Sequence, residues 1–149
     1  MGSQYPQKPL GQLIPIMAEQ VVVDTDILID FGLDKADAVQ TMALLEQKYE
    51  MSVSVITAME LYTGCRSKKD LRQVDDLLSN FEVHYVTKSV SEQAFEWMKK
   101  FRSSHGVEIN DMLIAATAYT IEATLVSKNQ KHYKFLPDLK LLEYPVIGV

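Results

Sequence analysis

Acidic residues stand close to three apolar stretches of the sequence, where they could form one metal-binding cluster. Asp24 directly follows the apolar run at 21–23, Glu60 comes shortly after the run at 51–55, and Asp111 opens an alanine-rich stretch. Residues that follow parallel strands gather at one edge of a sheet. Like charges brought that close resist joint ionisation unless a cation lies among them. An all-oxygen site of this kind favours Mg²⁺ or Mn²⁺, which activate water and stabilise the leaving oxygen in phosphodiester hydrolysis.

Each of these acids also has a purely structural interpretation. Asp24 or the threonine after it can cap a short helix. Thr57 and Glu60 have the spacing of a capping box, in which the glutamate only satisfies a backbone N–H. Asn110 can cap the helix that Asp111 opens, where an acid also gains from the helix dipole. At the level of sequence the capping and the metal-binding interpretations both stay open.

A fourth polar position follows a later apolar run, at 124–127. Asn129 stands there beside Ser127 and Lys128. An asparagine at such a junction commonly forms a turn, but its carbonyl oxygen could also bind a metal or position a water. The three histidines have no paired zinc spacing, and the single cysteine cannot build a sulfur site. The sequence therefore favours a metal site built from oxygen ligands.

The elements that must position these residues alternate between strand and helix. Short β-branched and apolar runs, typical of strands buried on both faces, are separated by stretches with helical periodicity. The predicted strands are 21–23, 51–55, 82–86, 124–127 and 140–142, and the predicted helices are 27–31, 34–50, 57–65, 68–78, 89–102 and 110–122. Short strands joined by helical crossovers predict a three-layer α/β/α sandwich with a central, mostly parallel sheet.

Two helices have clear inward faces in this scheme. In the stretch 34–50, Ala38, Met42 and Leu45 form one apolar stripe. In the stretch 89–102, the residues predicted to face inward are Ala94, Phe95, Met98 and Phe101.

Length and composition favour one ordinary globular domain. The chain has 149 residues, of which 47% are hydrophobic and 23% charged. Residues 1–18 hold three of the five prolines and show no helical or strand period, so we interpret them as a poorly structured N-terminal extension or a start-site artefact. One cysteine fits a reducing compartment, and the longest mainly apolar stretch, 112–121, is about half a membrane span. We expect a cytoplasmic protein without a membrane segment.

Net charge does not decide between nucleic acid and other partners. Twenty acidic and fifteen basic side chains give the chain a formal net charge of −5 at pH 7. A protein that coats DNA without sequence preference is usually basic. An acidic chain can still contact nucleic acid through a local basic patch, and a metal-dependent nuclease can concentrate its acids in one cluster.

The order of four motifs resembles the PIN domain, and more narrowly a VapC-type toxin of a toxin–antitoxin pair. The motifs are DTDILID, TAMELYTG, INDMLIAATA and SKNQKHY, and the resemblance covers about 21–144. It implies a single PIN-like domain over 19–149 that is a metal-dependent endoribonuclease. Asp24, Glu60 and Asp111 would hold Mg²⁺ or Mn²⁺. Asn129 occupies the fourth catalytic position, which is often an acid in the family, and that departure bears on whether a second metal is held.

The resemblance also implies supporting roles and partners. Asp26 and Ser127 would support the metal ligands, and Asn129 would orient the water or the scissile phosphate. Lys128, Lys131 and Arg66 are candidates for gripping flanking phosphates of structured RNA, although each is also interpretable as part of a solvated face. The implied partners are an RNA substrate, a cognate antitoxin and a second copy of the chain in a homodimer.

Two other functions remain compatible with parts of the sequence. A catalytically inactive PIN-like module could bind RNA or protein without cutting, although the retained acids speak against it. A haloacid-dehalogenase-type phosphatase would use Asp24 as nucleophile and Asp26 as acid. It would also need a late acidic pair, and beyond Lys128 the chain has only Asp138 and Glu143.

Overall fold

A five-stranded parallel sheet forms the centre of the molecule. In a computed structural model, which describes residues 19–147, every strand pairing is parallel and the spatial order is β3-β2-β1-β4-β5. The strands are β1 (Gln20–Val23), β2 (Glu50–Ser54), β3 (Glu82–His84), β4 (Thr124–Val126) and β5 (Leu141–Leu142). The predicted sandwich with its fifth strand is confirmed. The extension proposed for residues 1–18 lies outside the described residues.

Helices cover both faces of this sheet. They are α1 (Thr25–Gly32), α2 (Ala36–Lys48), α3 (Val55–Thr63), α4 (Lys68–Leu78), α5 (Lys88–His105) and α6 (Ile109–Thr120). Alternate side chains of the central strand point to opposite faces. Val22 packs in a cluster with residues of α5 and α6, whereas Val21 and Val23 pack in a second cluster with residues of α1 and α2. The short β-branched run is therefore buried on both sides, as its composition predicts.

The predicted inward face is confirmed in one helix and is wrong at a single residue in the other. Ala38, Met42 and Leu45 of α2 are fully buried, which confirms the predicted stripe. In α5 the prediction for Phe95 is wrong, since its side chain is 62% exposed, while Trp97 is only 3% exposed. Trp97 packs edge-on against Tyr119 of α6, with 5.3 Å between ring centroids. The other three predicted residues do face the core: Ala94 is buried, and Met98 and Phe101 pack against the same cluster.

The helix ends differ from the predicted ends by one to three residues at several places. α1 begins at Thr25 and runs through Gly32, which therefore does not stop it. α5 ends at His105 and is capped by Gly106, whose φ of 62° is left-handed and suits glycine. No helix among residues 19–147 is long and apolar enough to span a membrane.

The strand order explains how distant parts of the sequence reach one edge. β1 lies between β2 and β4, and all three run in the same direction. Asp24 follows β1, α3 with Glu60 follows β2, and Ser127 follows β4. The carboxyl ends of parallel strands at such a position are where α/β sheets place their sites.

Candidate active site

Asp24 is the most deeply buried acid at this edge. It is 4% exposed, and its Oδ1 accepts a 2.8 Å hydrogen bond from the backbone N–H of Thr25, so it does cap α1. Its Oδ2 accepts hydrogen bonds from the hydroxyls of Ser127, at 2.7 Å, and Tyr133, at 3.0 Å. Capping therefore uses one carboxylate oxygen and the cluster uses the other. The capping interpretation is therefore confirmed for Asp24, and the metal-binding interpretation stays a prediction.

Burial makes the charge of Asp24 unfavourable in the protein alone. Desolvation, reinforced by the neighbouring charge of Asp26, raises the pKa of Asp24 from 3.8 to about 7. The hydrogen bonds from Ser127, Thr25 and Tyr133 oppose this rise without cancelling it. A carboxylate held in such surroundings gains strongly from a cation.

Asp26 binds the loop that follows β4. Its Oδ2 accepts hydrogen bonds from the backbone N–H groups of Lys128, at 3.1 Å, and Asn129, at 3.2 Å, and from the Ser127 hydroxyl, at 3.3 Å. Its Oδ1 is buried and has no hydrogen-bond partner among the described residues. Burial raises the pKa of Asp26, and the Lys128 N–H is the largest opposing contribution. Asp26 thus fixes the β4 loop and leaves one buried oxygen available.

Glu60 is held by side chains from two other helices. Its Oε1 accepts a 2.6 Å hydrogen bond from the Thr25 hydroxyl, and its Oε2 accepts one of 3.2 Å from the Asn110 side chain. The capping-box interpretation of Thr57 and Glu60 is wrong, because α3 begins at Val55 and Ser54 is its cap. Thr57 instead contacts the Thr25 hydroxyl at 2.9 Å.

Thr25→Val should lower the free energy of unfolding by about 2 kcal/mol, because it removes a largely buried hydrogen bond to a charged group while keeping the shape of the side chain. Thr63→Val is the matched control, since Thr63 is exposed and its hydroxyl bonds only to the Glu60 backbone carbonyl in its own helix. Urea unfolding of both variants measures the difference. Equal losses in the two variants would show that Thr25 does not hold Glu60.

Asp111 is the third acid, and each of its carboxylate oxygens contacts a different side chain. Its Oδ1 accepts a 3.2 Å hydrogen bond from the Tyr133 hydroxyl, and its Oδ2 lies 3.1 Å from Nδ1 of His132. Its side chain is 25% exposed, so it reaches the surface of the crevice. The prediction that Asn110 caps α6 is wrong, because the helix begins at Ile109 and the residue before it is Glu108. The side chain of Asn110 donates a hydrogen bond to Glu60 instead.

Tyr133 joins two of these acids directly. Its hydroxyl donates towards both Asp24 Oδ2 and Asp111 Oδ1. Burial, with the charges of the two carboxylates, raises the pKa of Tyr133, so the hydroxyl keeps its proton and remains a donor. Sequence reasoning missed this residue as well as Thr25 and His132. The only signal for Tyr133 and His132 was their place in the segment after Asn129.

The residues after β4 have more varied roles than the sequence suggested. Ser127 is fully buried, and its hydroxyl bonds to Asp24 and Asp26. Asn129 is exposed and its side chain does not cap the short 3-10 turn at Gln130–His132. Lys128 bonds through Nζ to Asp30 Oδ2 at 2.7 Å, which weakens its assignment as a phosphate contact. Lys131 and Arg66 are exposed.

The donor set fits a hard divalent cation, although the carboxylates are not yet arranged around one. Asp24, Glu60 and Asp111 supply oxygen ligands of the kind that Mg²⁺ and Mn²⁺ prefer. Within residues 19–147, no three His, Cys, Asp or Glu side chains lie close enough to a common point to hold a metal as they stand. The raised pKa of Asp24 and the unpartnered Oδ1 of Asp26 are the marks of buried negative groups without a counter-charge. We conclude that the residues suit a cation once the side chains adjust.

The sequence of the chain is similar to a known protein family and to individual proteins. The sequence profile of the PIN domain matches residues 21–135. The chain is 31% identical over 121 residues to "Ribonuclease VapC19" of Mycobacterium tuberculosis, covering 80% of this chain and 96% of that protein. It is 30% identical over 121 residues to "Ribonuclease VapC10" of the same species, covering 80% and 90%.

A solved structure has the same fold. The crystal structure of VapBC2 from Rickettsia felis, bound to a DNA fragment from its promoter, superposes with a TM-score of 0.69 at 25% identity. The match covers 81% of this chain and 96% of that one.

Proposed function

The chain belongs to the PIN-domain family, and from that membership we propose that it is a VapC-type endoribonuclease, the toxin of a toxin–antitoxin pair. Relatives named as ribonucleases match most of the chain. The observation that carries the proposal is the grouping at one sheet edge: Tyr133 joins Asp24 to Asp111, and Thr25 beside Asp24 holds Glu60. Three acids from three elements thus share one hydrogen-bonded network.

The proposed site binds Mg²⁺ or Mn²⁺ through Asp24, Glu60 and Asp111. Such an ion supplies a water that is nucleophilic near neutral pH and charge stabilisation for a phosphodiester in the transition state. The chain's own residues hold the ligands: Ser127 and Tyr133 bond to Asp24. The exposed amide of Asn129 orients the scissile phosphate in this proposal. The charge of Asp26 raises the pKa of Asp24 and so adds to the negative potential of the site.

The proposed substrate is RNA, with exposed Lys131 and Arg66 contacting flanking phosphates. Lys128 has a smaller part in substrate binding, because Asp30 already neutralises it. Its proposed role is to hold the β4 loop to α1. The proposed location is the cytoplasm, where the chain would meet its RNA substrate.

The proposed partners are a cognate antitoxin and a second copy of the chain. Support for the antitoxin comes from the similarity to VapBC2 from Rickettsia felis, whose structure contains a DNA fragment from its promoter. An antitoxin that controls this chain would cover the crevice at Asp24 and Asp111, because access of RNA to that crevice is what it must prevent. The homodimer rests on the family resemblance.

Cleavage of total cellular RNA by the purified protein tests the function. We expect discrete fragments with Mg²⁺ or Mn²⁺, and none with EDTA or with Asp111→Asn. A gel must first show that no small partner has co-purified, since a bound antitoxin would silence the enzyme. Cleavage that persists in EDTA would contradict the metal site. A clean preparation that neither cleaves RNA nor binds a divalent ion would favour a binding module instead.

A further inference from the structure

Tyr133 is a fully buried tyrosine whose hydroxyl lies between two carboxylates from different elements. The side chain has 0% exposure, and its hydroxyl is 3.0 Å from Asp24 Oδ2 and 3.2 Å from Asp111 Oδ1. The two carboxylate oxygens are therefore no farther apart than the sum of these distances. Asp24 follows β1 and Asp111 lies in α6, so no local structure sets their separation.

The position of the hydroxyl is itself well determined. The Tyr133 ring packs in the apolar cluster with Leu125, Trp97 and Leu136. Its backbone N–H donates to Gln130 O at 3.1 Å, and its carbonyl accepts from the N–H of Leu136 at 3.0 Å. Because the ring is wholly buried, the hydroxyl reaches the carboxylates from the protein interior and leaves the exposed part of Asp111 to the crevice.

We propose that Tyr133 is a positioning residue for the divalent cation: its hydroxyl holds the Asp24 and Asp111 carboxylates close together so that they can bind one ion jointly. This inference rests on the proposed function, because it concerns the same cation. Two like charges in a poorly solvated place repel each other, and a donor between them offsets that repulsion. Partners that orient metal ligands contribute to metal affinity although they do not touch the metal.

Tyr133→Phe tests the role, because it keeps the ring and removes only the hydroxyl. Calorimetric titration of the full chain with MnCl₂ should give a dissociation constant about 10-fold weaker than that of the wild type. Tyr62→Phe is the matched control: it also removes a tyrosine hydroxyl that donates to an aspartate, Asp75, but on α3 and α4. Its Mn²⁺ affinity should equal the wild-type value.

Thermal unfolding separates positioning from a merely structural role. In EDTA a lower melting temperature of Tyr133→Phe would report the lost hydrogen bonds alone. At a fixed Mn²⁺ concentration, positioning predicts that the ion raises the melting temperature less in Tyr133→Phe than in the wild type. A dissociation constant and an ion-induced shift equal to those of the wild type would overturn the inference.

Asp24→Asn in the same titration separates failure of the inference from failure of the proposed function. If the wild type binds Mn²⁺, Asp24→Asn does not, and Tyr133→Phe binds as the wild type does, only the role of Tyr133 is wrong. If the wild type itself binds no Mn²⁺, the metal site and the role of Tyr133 fail together.

Discussion

Asp24→Asn should reduce metal-dependent RNA cleavage by about 10³-fold, because a lost metal ligand removes several kcal/mol of transition-state stabilisation. Asp24 is the acid most enclosed by the site, with one oxygen capping α1 and the other bonded to Ser127 and Tyr133. Asparagine has nearly the same size and keeps a carbonyl oxygen for the cap. The loss should therefore reflect charge and metal binding rather than a change of fold.

The rate of cleavage of one purified RNA fragment, at saturating Mn²⁺ and with excess protein, measures this effect. Asp34→Asn is the matched control, because Asp34 is exposed beyond the end of α1 and tolerates the same isosteric change. It should cleave within about twofold of the wild type, as surface substitutions usually leave a site undisturbed. An Asp24→Asn protein that cleaves as fast as the control would exclude Asp24 from the active site.

The same substitution should stabilise the metal-free protein above pH 7. Burial, and then the charge of Asp26, raises the pKa of Asp24 in the folded state to about 7 from 3.8. Between these values the folded protein keeps a proton that the unfolded chain has lost, so the stability contributed by protonated Asp24 is complete below about pH 4 and is lost as pH rises through 7. Asparagine does not titrate, so the free energy of unfolding of Asp24→Asn does not fall in this way as the pH rises.

The difference in free energy of unfolding between Asp24→Asn and the wild type should grow from pH 4 and level off near pH 8. Its ceiling is about 4 kcal/mol, and relaxation around the buried charge reduces it. Urea unfolding in EDTA at pH 5 and pH 8 measures it, and adding Mn²⁺ at pH 8 should stabilise only the wild type. A difference that is the same at both pH values would show that Asp24 has an ordinary pKa.

If Asp24→Asn both loses RNA cleavage and gains stability, then the burial of Asp24 lowers the stability of the metal-free protein while it serves the site. A carboxylate that binds a cation must be buried well enough to exclude water, and without the ion that burial is unfavourable. An inactive variant that is more stable than the wild type is the expected signature.

The fold was predictable because its pattern is local and repeated. Val21, Val22 and Val23 form a strand that packs on both faces, and the stripe of Ala38, Met42 and Leu45 identifies one helix face without any knowledge of its neighbours. Phe95 shows where this reasoning ends. Periodicity selects the side of α5 with Ala94, Met98 and Phe101, but it does not show that the buried aromatic residue is Trp97, which packs against α6, and not Phe95.

Asp24 and Glu60 were candidates because they come soon after strands, and Asp111 because it opens an alanine-rich helix, but the residues that hold these acids were not predictable. Glu60 has capping-box spacing, yet it bonds to Thr25, which is 35 residues away in sequence. Tyr133 is 109 residues from Asp24. Lys128 looks like a free cation in sequence and is an ion-pair partner of Asp30 in the structure. Such pairings arise from the order of the strands, and spacing along the chain does not specify them.

Anomalous diffraction from crystals grown with Mn²⁺ tests the central claim most directly, because it locates the ion without reference to activity. The account predicts one Mn²⁺ peak within coordination distance of the Asp24 and Asp111 carboxylates, with Glu60 facing it, and no such peak in Asp24→Asn. A Mn²⁺ peak elsewhere on the chain, or an empty crevice at saturating Mn²⁺, would contradict it.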